Sequence, residues 1–176
     1  MNITNLTGVL AMAILCAAGI ARAEPPQPYP LDAIPDKMPF NTPYGAPVGL
    51  ERAQQAIQAA AAEASKHGWA LDIAVVDAGA NQVAFSRMDG AQLASIDIAQ
   101  HKARAAATFR RPTKVFEEAV QKQDFKYVMT LDGVIASRGG IPLIEDGKLI
   151  GAIGCSGGTG SQDEAACLAG AATINK

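Results

Sequence analysis

The chain has 176 residues, which suits one ordinary domain rather than two. Apolar residues make up 49% of it, enough for a core that needs neither metal nor several disulfides. Lys and Arg number 15 against 17 Asp and Glu, with no long basic run, so nucleic acid is not expected as a partner.

Gly8 to Ala21 is an uncharged apolar run, too short to span a bilayer as a helix. It ends in Ala21-Arg22-Ala23, the small-x-small pattern that signal peptidase reads. Residues 1–23 are therefore expected to be a signal peptide, although Met1 to Thr7 contains no Lys or Arg. Leu15 precedes Cys16 where a lipoprotein site needs a small residue. A buried N-terminal helix is the alternative, and the proline-rich stretch that follows disfavours it. Cleavage near Ala23 removes one basic residue, Arg22, and leaves 14 basic and 17 acidic side chains, a net charge of −3. The mature protein is expected in the periplasm or secreted. No second segment reaches membrane length, so no stable membrane insertion is expected after cleavage.

Residues 24–47 hold eight of the ten prolines and should form an extended arm. Its apolar residues, among them Phe40 and Tyr44, argue that it packs on its own domain or on a neighbouring subunit. From Val48 a single domain is expected to run over residues 48–176. Gly49 to His67 reads as a helix closed by Gly68. Trp69 to Val76 and Gln82 to Met88 read as strands about an Asp77–Asn81 turn. In Gln92 to Phe109, Leu93, Ile96, Ala99, Ala103 and Ala106 form one apolar helical stripe. Pro112 stops that helix, and Thr113 is placed to cap the next, Lys114 to Gln123. Phe125 to Arg138 is ambiguous. Ile141 to Glu145, Asp146-Gly147 and Lys148 to Cys155 form a hairpin. A last helix, Gln162 to Ile174, has capping-box spacing in Ser161-Gln-Asp-Glu164. Strands joined by tight turns must be antiparallel, so the fold class is α+β, with helices covering one face of the sheet.

Two cysteines survive cleavage. In an oxidising compartment Cys155 and Cys167 are expected to be bridged, closing a loop of about a dozen residues worth roughly 3 kcal/mol. Two small buried thiols are the alternative reading.

The stretch Ala74 to Ala91 (AVVDAGANQVAFSRMDGA) resembles the GlcG/HbpS family of haem-binding proteins, which also occurs as the C-terminal domain of some cobalamin adenosyltransferases. Lys102-Ala103 within Ala99 to Ala107, Arg111-Pro-Thr113, Gly139-Gly-Ile-Pro142 and Gly151 to Gly158 followed by Gln162-Asp-Glu164 agree in order. The resemblance implies a profilin-like fold, an antiparallel sheet flanked by helices, and homo-oligomers that are often large. It implies haem as cofactor; some members are linked to haem degradation or extracellular redox sensing. The cysteine pair and the arm depart from the family pattern.

For the site, Arg87 and Asp89 lie two apart at a strand end and project to one side. With Lys102, Arg111 and Thr113 they are candidates for holding a carboxylate such as a haem propionate. The plainer reading is that Arg87 and Asp89 pair with each other or cap a helix and that Lys102 lies on a solvated helix face. Haem also needs an axial ligand. Of the two histidines, His67 precedes a helix-ending glycine, and His101, off the apolar stripe beside Lys102, is the better candidate. Met88 is more ordinarily a core filler. Gly157 to Gly160 is not a phosphate loop, because no Gly-Lys-Ser/Thr follows. Asp77, Asp89 and Asp163 read as isolated acids, and no motif for hydrolytic catalysis is present. The leading expectation is an exported haem or tetrapyrrole binder. Alternatives are an exported enzyme or accessory protein acting on a small carboxylate-bearing molecule, and a partner-binding subunit of a periplasmic oxidoreductase system.

Overall fold

The computed structural model describes residues 33–175. The expected signal peptide and residues 24–32 lie outside that range. The described residues fall into two units, 33–37 and 38–175. In the first, the described residues 33–37 are exposed.

The second unit holds α1 (Leu50–Lys66), β1 (Asp72–Asp77), β2 (Gln82–Arg87), α2 (Ser95–Thr108), α3 (Lys114–Gln123), a 3-10 helix (Lys126–Thr130), β3 (Gly140–Glu145), β4 (Lys148–Ser156) and α4 (Gly160–Ala171). The strands form one antiparallel sheet in the order β2-β1-β4-β3. The α+β expectation is met, and the ambiguous stretch after Phe125 contains the 3-10 helix. Asp146 and Gly147 both have positive φ, as the two-residue turn between β3 and β4 requires. Asp77 closes the other hairpin, its Oδ1 accepting from the N–H groups of Gly79 (2.8 Å) and Asn81 (2.9 Å).

The helices do not share one face of the sheet, as expected, but cover both. Ile73, Val75, Leu143 and Ile153 pack with α1 and α4. Ala74, Val76 and Ala152 pack with Ala99, Ala103 and Ala106 of α2. The signal lies in β1, where five consecutive residues are buried and in–out alternation is lost. Alanines on α2 and Gly154 on β4 let the helix lie directly on the sheet: a Cβ at Gly154 would meet the Ala99 carbonyl and the Ala103 N–H.

Two cap assignments shift. α4 is capped by Thr159 rather than Ser161; its hydroxyl accepts from Gln162 N–H, and the Gln162 side chain accepts from Thr159 N–H at 2.8 Å. Thr113 makes no side-chain cap to α3; its hydroxyl instead accepts from Gly140 N–H at 2.9 Å, tying the helix start to β3. Leu93 lies ahead of α2, 70% exposed, and so leaves the apolar stripe.

The later part of the arm packs on its own domain. Leu149 N–H donates to the Pro43 carbonyl (2.8 Å), and the Leu149 carbonyl accepts from Gly45 N–H (2.7 Å). This continues the β4 edge beyond the last residue paired with β1. The Tyr44 hydroxyl donates to the Thr108 carbonyl at 2.9 Å.

Candidate functional site

The expected ligand-holding side chains do not converge. They fall into one sealed cluster and three separate surface sites.

Lys102 is inside, 1% exposed, and not on a solvated face. Its ammonium donates to Asp163 Oδ2 at 2.8 Å and to the Cys155 carbonyl at 3.1 Å. Asp163, 3% exposed, is therefore not an isolated acid. Its other oxygen accepts from Gly158 N–H at 2.9 Å. Burial pushes the Asp163 carboxyl up, and the hydrogen bond from Lys102 opposes that shift. Gly139 and Gly140 make room for this pair: a Cβ on Gly139 would crowd Asp163 and Lys102, and one on Gly140 would meet the Lys102 carbonyl. Asp163 shares the buried face of Ala166, Cys167 and Gly170, three, four and seven residues on, so the helical period carried a signal for its burial.

Beyond the pair, Arg138 bridges Glu117 at 2.6 Å and Glu164 at 3.5 Å, and Lys114 reaches Glu164 at 3.3 Å. Burial raises the Glu117 carboxyl, but the hydrogen bonds from the Arg138 side chain and backbone outweigh it and hold the group below the usual range. Thr113 is fully buried between this cluster and β3. Lys102 and Thr113 are thus packed against protein on every side. The Cys155–Cys167 disulfide lies beside them, joining β4 to α4 with a Cα–Cα distance of 5.7 Å.

Arg87 and Asp89 are exposed and make no ion pair with each other among the described residues. With Trp69, Met88, Ala61 and Ser65 they line an open groove of about 610 Å³. Met88 also packs on the core, as a filler does. The His67 ring stacks on Trp69 at 4.4 Å between centroids and lies 3.4 Å from Glu63.

His101 faces outward from α2. It lines a groove of about 530 Å³ with Asp97, Arg104, Thr108, Ala80 and Gly133. Asp97, His101, Arg104 and Thr108 fall on one helix face because their spacings are four, three and four. The His101 Nε2 lies 3.2 Å from the Gly133 carbonyl. The Arg104 guanidinium donates to Gln100 Oε1 at 3.3 Å and makes no salt bridge among the described residues.

Arg111 belongs to the third site, a pocket of about 330 Å³ between the end of α2, α3 and the 3-10 helix. Phe109, Phe116, Phe125 and Tyr127 line it. The guanidinium lies 3.7 Å from the Phe40 ring centroid and 5.6 Å from that of Phe116. Desolvation, with Arg110 next to it, lowers the Arg111 pKa. The neighbouring Arg110 stacks over Tyr44 and donates to the Thr42 carbonyl, so the arm meets both arginines. Among the described residues, no three His, Cys, Asp or Glu side chains converge as a metal cluster would require, and no helix is long and apolar enough to cross a membrane.

A four-stranded antiparallel sheet between helical layers, with its polar pair sealed inside and its grooves on the helical surfaces, defines a small profilin-like α+β domain. Residues 48–172 match the family described as haem degrading protein HbpS-like, and the chain belongs to that family. Protein GlcG of Escherichia coli K12 is 41% identical over 106 residues, 60% of this chain and 78% of that protein. An uncharacterised 15.0 kDa protein from the dhaT-dhaS intergenic region of Citrobacter freundii is 37% identical, covering 67% of this chain and 85% of its own length. Among solved structures, Klebsiella pneumoniae ORFY superposes with a TM-score of 0.70 at 29% identity, over 81% of this chain and 97% of its own. A double mutant of Streptomyces reticuli HbpS gives 0.68 at 29% identity, over 82% and 97%. A PduOC–haem complex gives 0.66 at 28%, over 74% and 96%.

Proposed function

We propose that this protein is an exported haem- or tetrapyrrole-binding protein and that the groove at His101 takes the macrocycle. The observation that carries this reading is an imidazole and a guanidinium on one helix face, the guanidinium without a salt bridge among the described residues. They stand in a groove whose volume lies within the ~300–1,000 Å³ usual for small-molecule sites. The haem-bound relative supports the ligand class.

The side chains fit the group. If His101 Nε2 donates its proton to the Gly133 carbonyl, Nδ1 keeps a lone pair for iron. Arg104, whose guanidinium is held by Gln100 alone among the described residues, is available to a propionate. Ala80 and Gly133 in the lining are small and take little room from a flat ring. Asp97 stands almost two helical turns from Arg104, away from that carboxylate. Bound haem would supply redox and small-ligand chemistry at its iron. His101 would hold it and Arg104 would orient it.

Export and homo-oligomerisation are part of this reading. The Cys155–Cys167 bond supports an oxidising compartment. Titration of the purified mature protein with hemin is expected to give a shifted Soret band, and His101→Ala should weaken binding about tenfold or more. No shifted band, or affinity no tighter than albumin-like background, defeats the haem reading. A band unchanged in His101→Ala moves the ligand out of this groove.

A further inference from the structure

Arg111 sits in a setting that the haem reading does not use. Its Nε donates to the Phe109 carbonyl at 2.9 Å, but its two terminal nitrogens have no hydrogen-bond partner among the described residues. Among the described residues no carboxylate pairs with it. Its guanidinium lies over the Phe40 ring, 3.7 Å from the centroid, and 5.6 Å from that of Phe116, contacts that restrict its swing. The pocket beside it is walled by two aromatic pairs. Phe109 meets Phe116 edge-on at 5.1 Å, and Phe125 meets Tyr127 at 6.1 Å. Val115, Ala119, Val128 and Leu131 add apolar wall, and Gln123 is a neutral polar group in the lining. Glu118, the one acid in the lining, is already paired with Lys122 at 2.8 Å.

A half-buried cation with no counter-ion among the described residues, in the lining of a pocket rich in aromatic rings, calls for an anion with an apolar body. At about 330 Å³ the pocket is near the lower limit for small-molecule sites, room for one ring and its carboxylate rather than for a tetrapyrrole. We propose that it is a second binding site, separate from the His101 groove, for small aromatic or arylalkyl carboxylates, with Arg111 taking the carboxylate and the Phe109/Phe116 and Phe125/Tyr127 pairs taking the ring.

The test is titration of the full mature protein with benzoate and phenylacetate, followed by calorimetry and by amide shifts in two-dimensional NMR. Benzamide is the neutral control. A dissociation constant around 1 mM or tighter is expected for the acids. Benzamide should be about tenfold or more weaker. The amides of Val115, Phe116 and Tyr127 should move. Arg111→Gln should weaken the acids about tenfold or more and leave benzamide unchanged, and Arg111→Lys should recover part of the loss because charge returns without the planar fork. Since Arg111 also packs, Val115→Phe provides a second arm: it fills the pocket, keeps the cation, and should abolish binding of the acids. Hemin titration of the same variants separates the two sites, because Arg111→Gln should leave the haem response unchanged. The carboxylate proposal stands or falls on the NMR shifts even if hemin does not bind. It is overturned if neither acid binds at about 10 mM, if benzamide binds as well as benzoate, if the shifts map elsewhere, or if Arg111→Gln and Val115→Phe bind as the parent does.

Discussion

Asp72 is the one described side chain whose buried oxygens both lack a partner. It opens β1, opposite Arg87 on β2 and Ser156 on β4, and is fully buried. Desolvation raises its pKa, and the nearby Arg87 offsets only part of the rise. The folded state therefore keeps this proton to higher pH than the unfolded chain does. Stability from this group is greatest below the ordinary aspartate value of about 3.9 and declines as pH rises from there through the folded value. Asp72→Asn removes the charge and keeps the shape. It is expected to raise stability at pH 7 by about 1 kcal/mol or more, with the gain fading toward pH 3, measured by denaturant melts across that range. Lys102 and Asp163 show the opposite arrangement, two buried charges that satisfy each other. The sequence placed Lys102 on α2 but read it as a cation open to a ligand or to solvent, not as a buried one. A lysine amid alanines does not announce that an acid 61 residues away will meet it.

At the scale of elements, the packing of α2 on the sheet depends on small residues. Ala99, Ala103 and Ala106 face Ala74 and Ala152, and Gly154 sits beneath the helix backbone. Gly154→Ala would set a methyl group against the Ala99 carbonyl and Ala103 N–H, neither of which can swing aside. An expected loss of about 1–3 kcal/mol, the usual range for overpacking, would appear in the same melts. Gly147→Ala, in open space, would strain only its positive φ and serves as a comparison. Elements with local causes were legible in the sequence. The Asp146-Gly147 turn, the Gly68 helix stop and the bounds of α3 all come from residues adjacent in the chain. The caps were not, because the Ser161 spacing competes with Thr159 two residues earlier and only the entry angle of the chain selects one.

At the scale of the whole molecule, the disulfide links the last strand to the last helix across 12 residues and adjoins the Lys102–Asp163 pair through the Cys155 carbonyl. Protein recovered from outside the cytoplasm of an expressing bacterium is expected to have an intact mass lacking residues 1–23 and two hydrogens below the reduced chain. Reduction should lower its stability by about 3 kcal/mol. A mass with both thiols free, or with residues 1–23 retained, would contradict the export reading. The molecule also separates its surface chemistry: His101 with Arg104 on one side of α2, Arg111 past its end, Arg87 with Asp89 at the tip of β2.

What the sequence by itself determined was the local and the periodic: α+β class, antiparallel hairpins, nearly every element and the family motifs, with the Cys155–Cys167 bridge as an expectation that the structure carries. Those follow from turn chemistry, from spacing along one helix or strand, and from there being two cysteines after the expected cleavage. Only the tertiary structure decided which polar side chains face inward and which share a pocket. Strand burial on both faces moved α2 opposite α1 and α4. That placement sealed Lys102 against Asp163, tied Thr113 to Gly140, and set Arg111 apart from both beneath Phe40. These are contacts between residues distant in the chain, whose energies depend on burial and approach, quantities that no stretch of sequence carries alone.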